Sequence, residues 1–221
     1  MSPSSKPHAG RIFVLPVTRI FLIRHGATDW TRQRRFQGHT DTALNPEGKK
    51  QARRLQARFK RLDWDYLYAS PLMRARTTAE ILAYERSQEI RHDKRLREIF
   101  FGRWEGKSTE ELRKQPDPAF QKWCKGRRTS PPGGETLKDF NRRVSGFFRE
   151  MLKRHPGKTL LVVSHGGPIK SFIFQLLKIP AASLWSLRIE PGSVSLVSAG
   201  PDFSEITFLN DTSHLGLGYR T

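Results

Sequence analysis

Short apolar runs of strand length alternate along the chain with amphipathic stretches of helical period, and turn or cap residues separate them. Residues 17–23 form a mostly apolar run that stops at Arg24-His25-Gly26. Asn45-Pro46-Glu47 then reads as a helix start, because Asn supplies an N-cap acceptor, Pro presets the first helical residue and Glu puts an acid in the first turn. Ala52, Leu55 and Phe59 recur along it at helical spacing. Residues 65–69 are a second strand, and Ser70-Pro71 opens a second helix running to about residue 84. A third extended stretch covers 90–96. Ser108-x-x-Glu111 has the form of a capping box, and the helix it starts should stop before Pro116.

Pro116, Pro118, Pro131, Pro132, Gly133 and Gly134 mark a loop-rich insert around one short helix, a lid candidate spanning about 106–134. The pair Trp123 and Cys124 inside it reads as core packing. Leu137, Phe140, Val144, Phe147, Phe148, Met151 and Leu152 trace one face of a long helix ending near His155-Pro156-Gly157. Residues 159–163 are the most apolar strand, stopping at Ser164-His165-Gly166-Gly167, and Pro168 begins a helix through residue 177. Runs at 194–197 and 205–209 complete the set. This alternation predicts an α/β fold, three-layer α/β/α with a mainly parallel central sheet.

Length and composition narrow the picture. The 221 residues suit a single domain over 12–221 behind a disordered basic lead-in at 1–11. Hydrophobic content of 36%, with 14 Phe and 5 Trp, is enough to offset chain entropy. A lone cysteine excludes an internal disulfide framework and a zinc site built on several thiolates. No apolar run approaches the roughly 18–20 residues of a transmembrane helix. The run at 12–17 is too short for a signal-peptide core and contains Pro16, so a cytoplasmic location is expected. The net charge of +19 draws phosphates, nucleic acid or anionic surfaces, but Lys and Arg are scattered through every predicted helix and no nucleic-acid motif accompanies them. Neither a membrane nor a specific nucleic-acid partner is expected.

The candidate chemistry sits at two strand ends. His25 and His165 each follow an apolar strand and precede glycine, and the ends of parallel strands face a common crevice, so both belong to one site. A lone histidine after a strand is usually an ordinary loop residue; the same context twice, with Arg24 beside one of them, argues otherwise. Arg74, in the first turn of a helix that begins at another strand end, competes between a phosphate contact and a surface pair with Glu80.

These residues resemble the histidine phosphatase superfamily, also called phosphoglycerate mutase-like. The likeness is carried by Leu22-Ile23-Arg24-His25-Gly26-Ala27-Thr28, Arg35-Phe36-Gln37-Gly38, Ser70-Pro71-Leu72-Met73-Arg74, Leu96-Arg97-Glu98 with Phe101-Gly102-Arg103-Trp104-Glu105-Gly106, and Val163-Ser164-His165-Gly166-Gly167. It implies that neutral His25 attacks phosphorus and forms a phosphohistidine, that Arg24, Arg74 and a protonated His165 bind the equatorial oxygens, and that Glu98 serves as general acid and then base. It further implies substrate contacts at Gln37, Gly38 and Gly166, and at Thr31 where the family often has Asn. No metal and no cofactor are implied. The His92-Asp93 pair, which could suggest a metal-dependent hydrolase, has no second pair to match it.

The motifs around Phe101 and Pro131-Pro132-Gly133-Gly134-Glu135-Thr136 are most similar to small phosphatases such as the α-ribazole phosphatases. The expected partner is therefore a small phosphorylated metabolite, with α-ribazole 5′-phosphate the leading candidate. The alternative is a phosphoglycerate mutase, with Arg127-Arg128 holding a second acidic group, although the insert is short for a mutase lid. A non-catalytic phospho-ligand or nucleic-acid binder is a third reading, disfavoured because His25, His165, Glu98, Arg24 and Arg74 are all present.

Overall fold

The computed structural model describes residues 16–114, 117–125 and 130–216. The lead-in at 1–11, the stop at Pro116 and the pair Arg127-Arg128 lie outside the described residues. In chain order the elements are β1 (Thr18–Arg24), α1 (Asp29–Arg32), α2 (Pro46–Phe59), β2 (Tyr66–Ala69), α3 (Met73–Ala83), β3 (Ile90–His92), α4 (Thr109–Lys114), α5 (Pro118–Cys124), α6 (Leu137–Arg154), β4 (Thr159–Ser164), α7 (Gly166–Leu176), β5 (Val194–Ala199) and β6 (Ser204–Asp211). The strands form one sheet in the order β3-β2-β4-β1-β5-β6. β1, β2, β3 and β4 run parallel, and β5 and β6 add an antiparallel edge. This is the α/β architecture that the alternating pattern predicts.

β1 and β4 read as unbroken apolar runs because both sheet faces are covered. Ile20, Leu22, Leu160 and Val162 pack with Phe140, Val144, Phe147, Ile169 and Phe172 from α6 and α7. The alternate residues Phe21, Ile23, Leu161 and Val163 pack with Leu55, Phe59, Ala75, Ala79 and Leu82 from α2 and α3. Two apolar layers on one sheet make three layers. Each such side chain removed from water contributes about 1.5–3 kcal/mol, so the central strands are the least movable part of the molecule.

Local signals hold where the partner is near in sequence. Asn45 accepts from Gly48 N at 2.9 Å and starts α2, and Ser108 and Glu111 close the capping box of α4. Three expectations need correction, and one element is an addition. α3 begins at Met73 rather than Ser70-Pro71; Leu72 makes no side-chain cap, and the Asp41 carboxylate accepts from Met73 N instead. β3 ends at His92, because Asp93 accepts from Arg95 N at 2.8 Å and turns the chain into a 3₁₀ turn over Lys94–Leu96. α7 starts at Gly166, ahead of Pro168, with His165 at its N-cap. Short α1, capped by Thr28, was not expected at all.

Within 106–134, α5 is capped by Asp117, which also accepts from Trp104 Nε1 at 2.8 Å. Phe120 and Trp123, three apart and on one helix face, bury against Trp104 with ring centroids 5.3 and 5.7 Å away. Cys124 is exposed, so core packing explains Trp123 only; consecutive helical residues point about 100° apart. Among the described residues no helix is long and apolar enough to cross a membrane.

Candidate active site

The parallel pairing ends with Arg24 beside Ser164, which brings Arg24-His25 and Ser164-His165 to the same sheet edge. The imidazoles of His25 and His165 lie 5.1 Å apart, centroid to centroid, and both are buried. His25 Nδ1 sits 2.7 Å from Gly26 O. A carbonyl only accepts, so Nδ1 carries the hydrogen and the lone pair of the neutral ring is on Nε2. Burial holds the His25 pKa well below its ordinary value, helped by the charges of Arg74 and Arg24. His165 Nε2 lies 2.8 Å from Ser70 Oγ, while Nδ1 has no protein partner. Its pKa is likewise depressed, first by burial and then by Arg74, His25, Arg24 and Arg143. The protonated His165 implied by the family resemblance therefore needs the opposing charge of a bound phosphate.

Arg74 is fully buried, and its two terminal nitrogens donate to Thr40 O at 2.9 Å and Gly38 O at 2.8 Å. Burial pulls its pKa down to about 10, which leaves it charged at neutral pH. Gly38 presents that carbonyl from a left-handed conformation, φ +53°, which favours glycine. The Glu105 carboxylate staples the loop by accepting from His39 N and Thr40 N, each at 2.9 Å, and from Phe101 N at 3.1 Å. Arg24 donates to Ile189 O.

Glu98 reaches the same cleft from the turn after β3. Its carboxylate accepts from Ile99 N at 3.0 Å and Gly167 N at 3.2 Å, and its main-chain oxygen accepts from Arg143 at 2.8 Å and His39 Nε2 at 2.9 Å. Arg143 is in turn paired with Glu135 at 2.7 Å. The acid is thus mounted on a braced turn rather than a free loop.

The cleft encloses about 160 Å³. Of the residues expected in the site, Arg24, His25, Gln37, Arg74, Glu98 and Gly166 line it. The Gln37 side-chain oxygen accepts from Thr28 Oγ1 and Thr42 Oγ1, so its NH₂ is the end left to serve a ligand. Thr31 does not line the cleft: its hydroxyl donates to Thr28 O at 2.7 Å and accepts from Thr28 N, completing the cap of α1. Gly38 acts through its carbonyl on Arg74. The His92-Asp93 pair is used structurally, with Asp93 ion-paired to Arg95 at 2.7 Å. Sequence reasoning missed Arg35, Lys170 and Trp185, which also line the cleft, along with the supporting roles of Ser70 and Glu105. Lys170 had a visible signal, a single cation in the otherwise apolar helix Pro168-Ile169-Lys170-Ser171-Phe172-Ile173.

The profile of the histidine phosphatase superfamily (branch 1) matches residues 20–212. Phosphoserine phosphatase 1 of Hydrogenobacter thermophilus is 33% identical, covering 92% of this chain and 97% of its own. The adenosylcobalamin/alpha-ribazole phosphatase of Salmonella typhimurium is 32% identical over 87% of this chain and 96% of its own. The crystal structure of a phosphoserine phosphatase mutant from Entamoeba histolytica in complex with phosphoserine superimposes with a TM-score of 0.82 at 30% identity, over 90% of this chain and all of that one.

Proposed function

The chain belongs to the histidine phosphatase superfamily, and we propose that this phosphatase hydrolyses small phosphomonoesters through a phosphohistidine formed on His25. The observation that carries the reading is the Nδ1–Gly26 contact, which leaves Nε2 of a neutral imidazole as the nucleophile beside two arginines. Nε2 bonds to phosphorus as the ester P–O bond breaks, and Glu98 gives its proton to the departing oxygen, so the alcohol leaves neutral. Glu98 then takes a proton from water, whose oxygen attacks phosphorus; the P–N bond breaks and phosphate and neutral His25 are restored. Arg24, Arg74 and a His165 charged by the arriving dianion hold the equatorial oxygens through both steps.

The inner part of the cleft, about 160 Å³, has room for a phosphoryl group with a leaving group the size of an amino acid or short acid. α-Ribazole 5′-phosphate stands as the second reading, supported by the aromatic lining of Phe36, Phe101 and Trp185, on which a benzimidazole would stack. The mutase alternative rests on Arg127-Arg128, outside the described residues.

Rapid quench with phosphate-labelled substrate tests the mechanism. An acid-labile, base-stable label on His25 is expected, with none on His25→Ala and no turnover by that variant. Substantial hydrolysis by a clean His25→Ala protein would overturn it. Phosphoserine, phosphoglycerates, sugar phosphates and α-ribazole 5′-phosphate, compared by kcat/KM, rank the leaving groups.

A further inference from the structure

We propose that Lys170 is a specificity-determining residue that binds a carboxylate carried by the leaving group of the substrate. The inference rests on the phosphatase reading and adds to it a chemical class of substrate.

Four cations line the cleft: Arg24, Arg35, Arg74 and Lys170. Arg24 and Arg74 flank the nucleophile and match the two charges of a phosphomonoester. Arg35 is committed elsewhere, with both Glu111 oxygens within 3.2 Å of one of its nitrogens. Lys170 is different: among the described residues it makes no hydrogen bond or ion pair, and its ammonium rests 5.3 Å from the centre of the Trp185 ring. Burial and then the Arg24 charge pull its pKa down to about 8, with the Glu98 charge acting the other way, and a ligand carboxylate within hydrogen-bond reach would hold it charged.

Its position says which part of the substrate it meets. Gly166 and Gly167 begin α7, and Gly167 N holds the Glu98 carboxylate. Lys170 is four and three residues further on, hence on the same helical face about one turn away from the phosphate end. A helical lysine leans back toward its own N-terminus, bringing the ammonium to the Glu98 side of the cleft, where the departing oxygen is protonated. Trp185 closes the far side of the ammonium with an apolar ring. A carboxylate one or two carbons from the ester oxygen fits that distance and the small cleft.

The test compares 3-phosphoglycerate with glycerol 3-phosphate, which differ in the carboxylate. The ratio of their kcat/KM values is measured for the wild type, Lys170→Met and Lys170→Arg. The wild type should prefer the acid, and Lys170→Met should lower the ratio about ten- to hundredfold, mostly through KM, as expected for losing one charge-assisted contact. Lys170→Arg should restore most of it. An unchanged ratio, an equal loss on both substrates or a wild type indifferent to the carboxylate would overturn the proposal. Calorimetric Kd values for the same two ligands on His25→Ala, with and without Lys170→Met, repeat the test without turnover. A carboxylate preference that survives Lys170→Met there refutes the subsite, even if the wild type hydrolyses neither compound and the phosphatase reading itself fails.

Discussion

Gly167→Ala separates catalysis from folding at this site. A Cβ built on Gly167 falls 2.0 Å from Glu98 Oε1 and 3.2 Å from Phe140 Cζ. Real Cβ atoms stay beyond 3.0 Å, so the carboxylate must retreat by about 1 Å, while Phe140 yields only a few tenths. The end of a glutamate side chain moves cheaply. Alanine also gains about 1 kcal/mol over glycine within a helix, so the net stability change should stay within about 1 kcal/mol, or roughly 2–4 °C in Tm. Catalysis should suffer far more, because a 1 Å misplacement of a catalytic group costs on the order of 10²-fold and a general acid contributes about 10²–10⁴-fold. The loss should depend on the leaving group. Alkyl phosphates need a proton on the departing oxygen and should lose about 100-fold in kcat/KM, whereas p-nitrophenyl phosphate, which leaves as a stable phenolate, should lose under about tenfold. Equal losses on both, or full activity on the alkyl ester, would refute Glu98 as the acid.

Three further predictions follow from burial and bonding. With pKa values well below the ordinary imidazole value of 6.5, His25 and His165 should show Cε1 proton resonances that do not titrate until well under pH 6.5. Because the unfolded chain takes up those protons first, their contribution to stability is complete above pH 6.5 and lost as pH falls; ordinary titration midpoints in the folded protein would refute this. Arg74→Lys replaces a fork that grips Gly38 O and Thr40 O by a point charge, and should cost about 10²–10³-fold in kcat/KM; a loss under tenfold would show that the fork is dispensable. Asp117→Ala removes the acceptor for Ala119 N and Phe120 N and leaves the buried Trp104 Nε1 unpaired, which should lower urea-derived stability by about 2–4 kcal/mol, an estimate excluded by a change below 1 kcal/mol.

What could be read from the chain beforehand divides along sequence separation. β1, α2, α6 and β4 were legible because the evidence for each is local: an apolar run of strand length, Asn45 three residues from the amide it caps, a stripe from Phe140 to Met151. The start of α3 was not, because its acceptor is Asp41, 32 residues upstream. The cap made by Thr31 was not legible for a related reason: a hydroxyl can cap a helix or meet a substrate, and in the folded turn that of Thr31 bonds Thr28. The same logic separates Arg35 from Lys170. Both are basic and both line the cleft, and although Lys170 stands out in sequence as a lone cation among mostly apolar neighbours, only the fold shows which of the two charges is already paired. Arg35 is answered by Glu111, 76 residues away, and so its charge is spent on holding α4 against the loop at Gly106. Lys170 makes no hydrogen bond or ion pair among the described residues: it rests on the face of Trp185, with the Glu98 charge acting on it without a direct contact. Where Arg35 is paired and the terminal nitrogens of Arg74 are bonded before a ligand arrives, orientation is settled during folding and adds little cost at the moment of reaction. The uncommitted cation is then the group through which one phosphomonoester can be told from another.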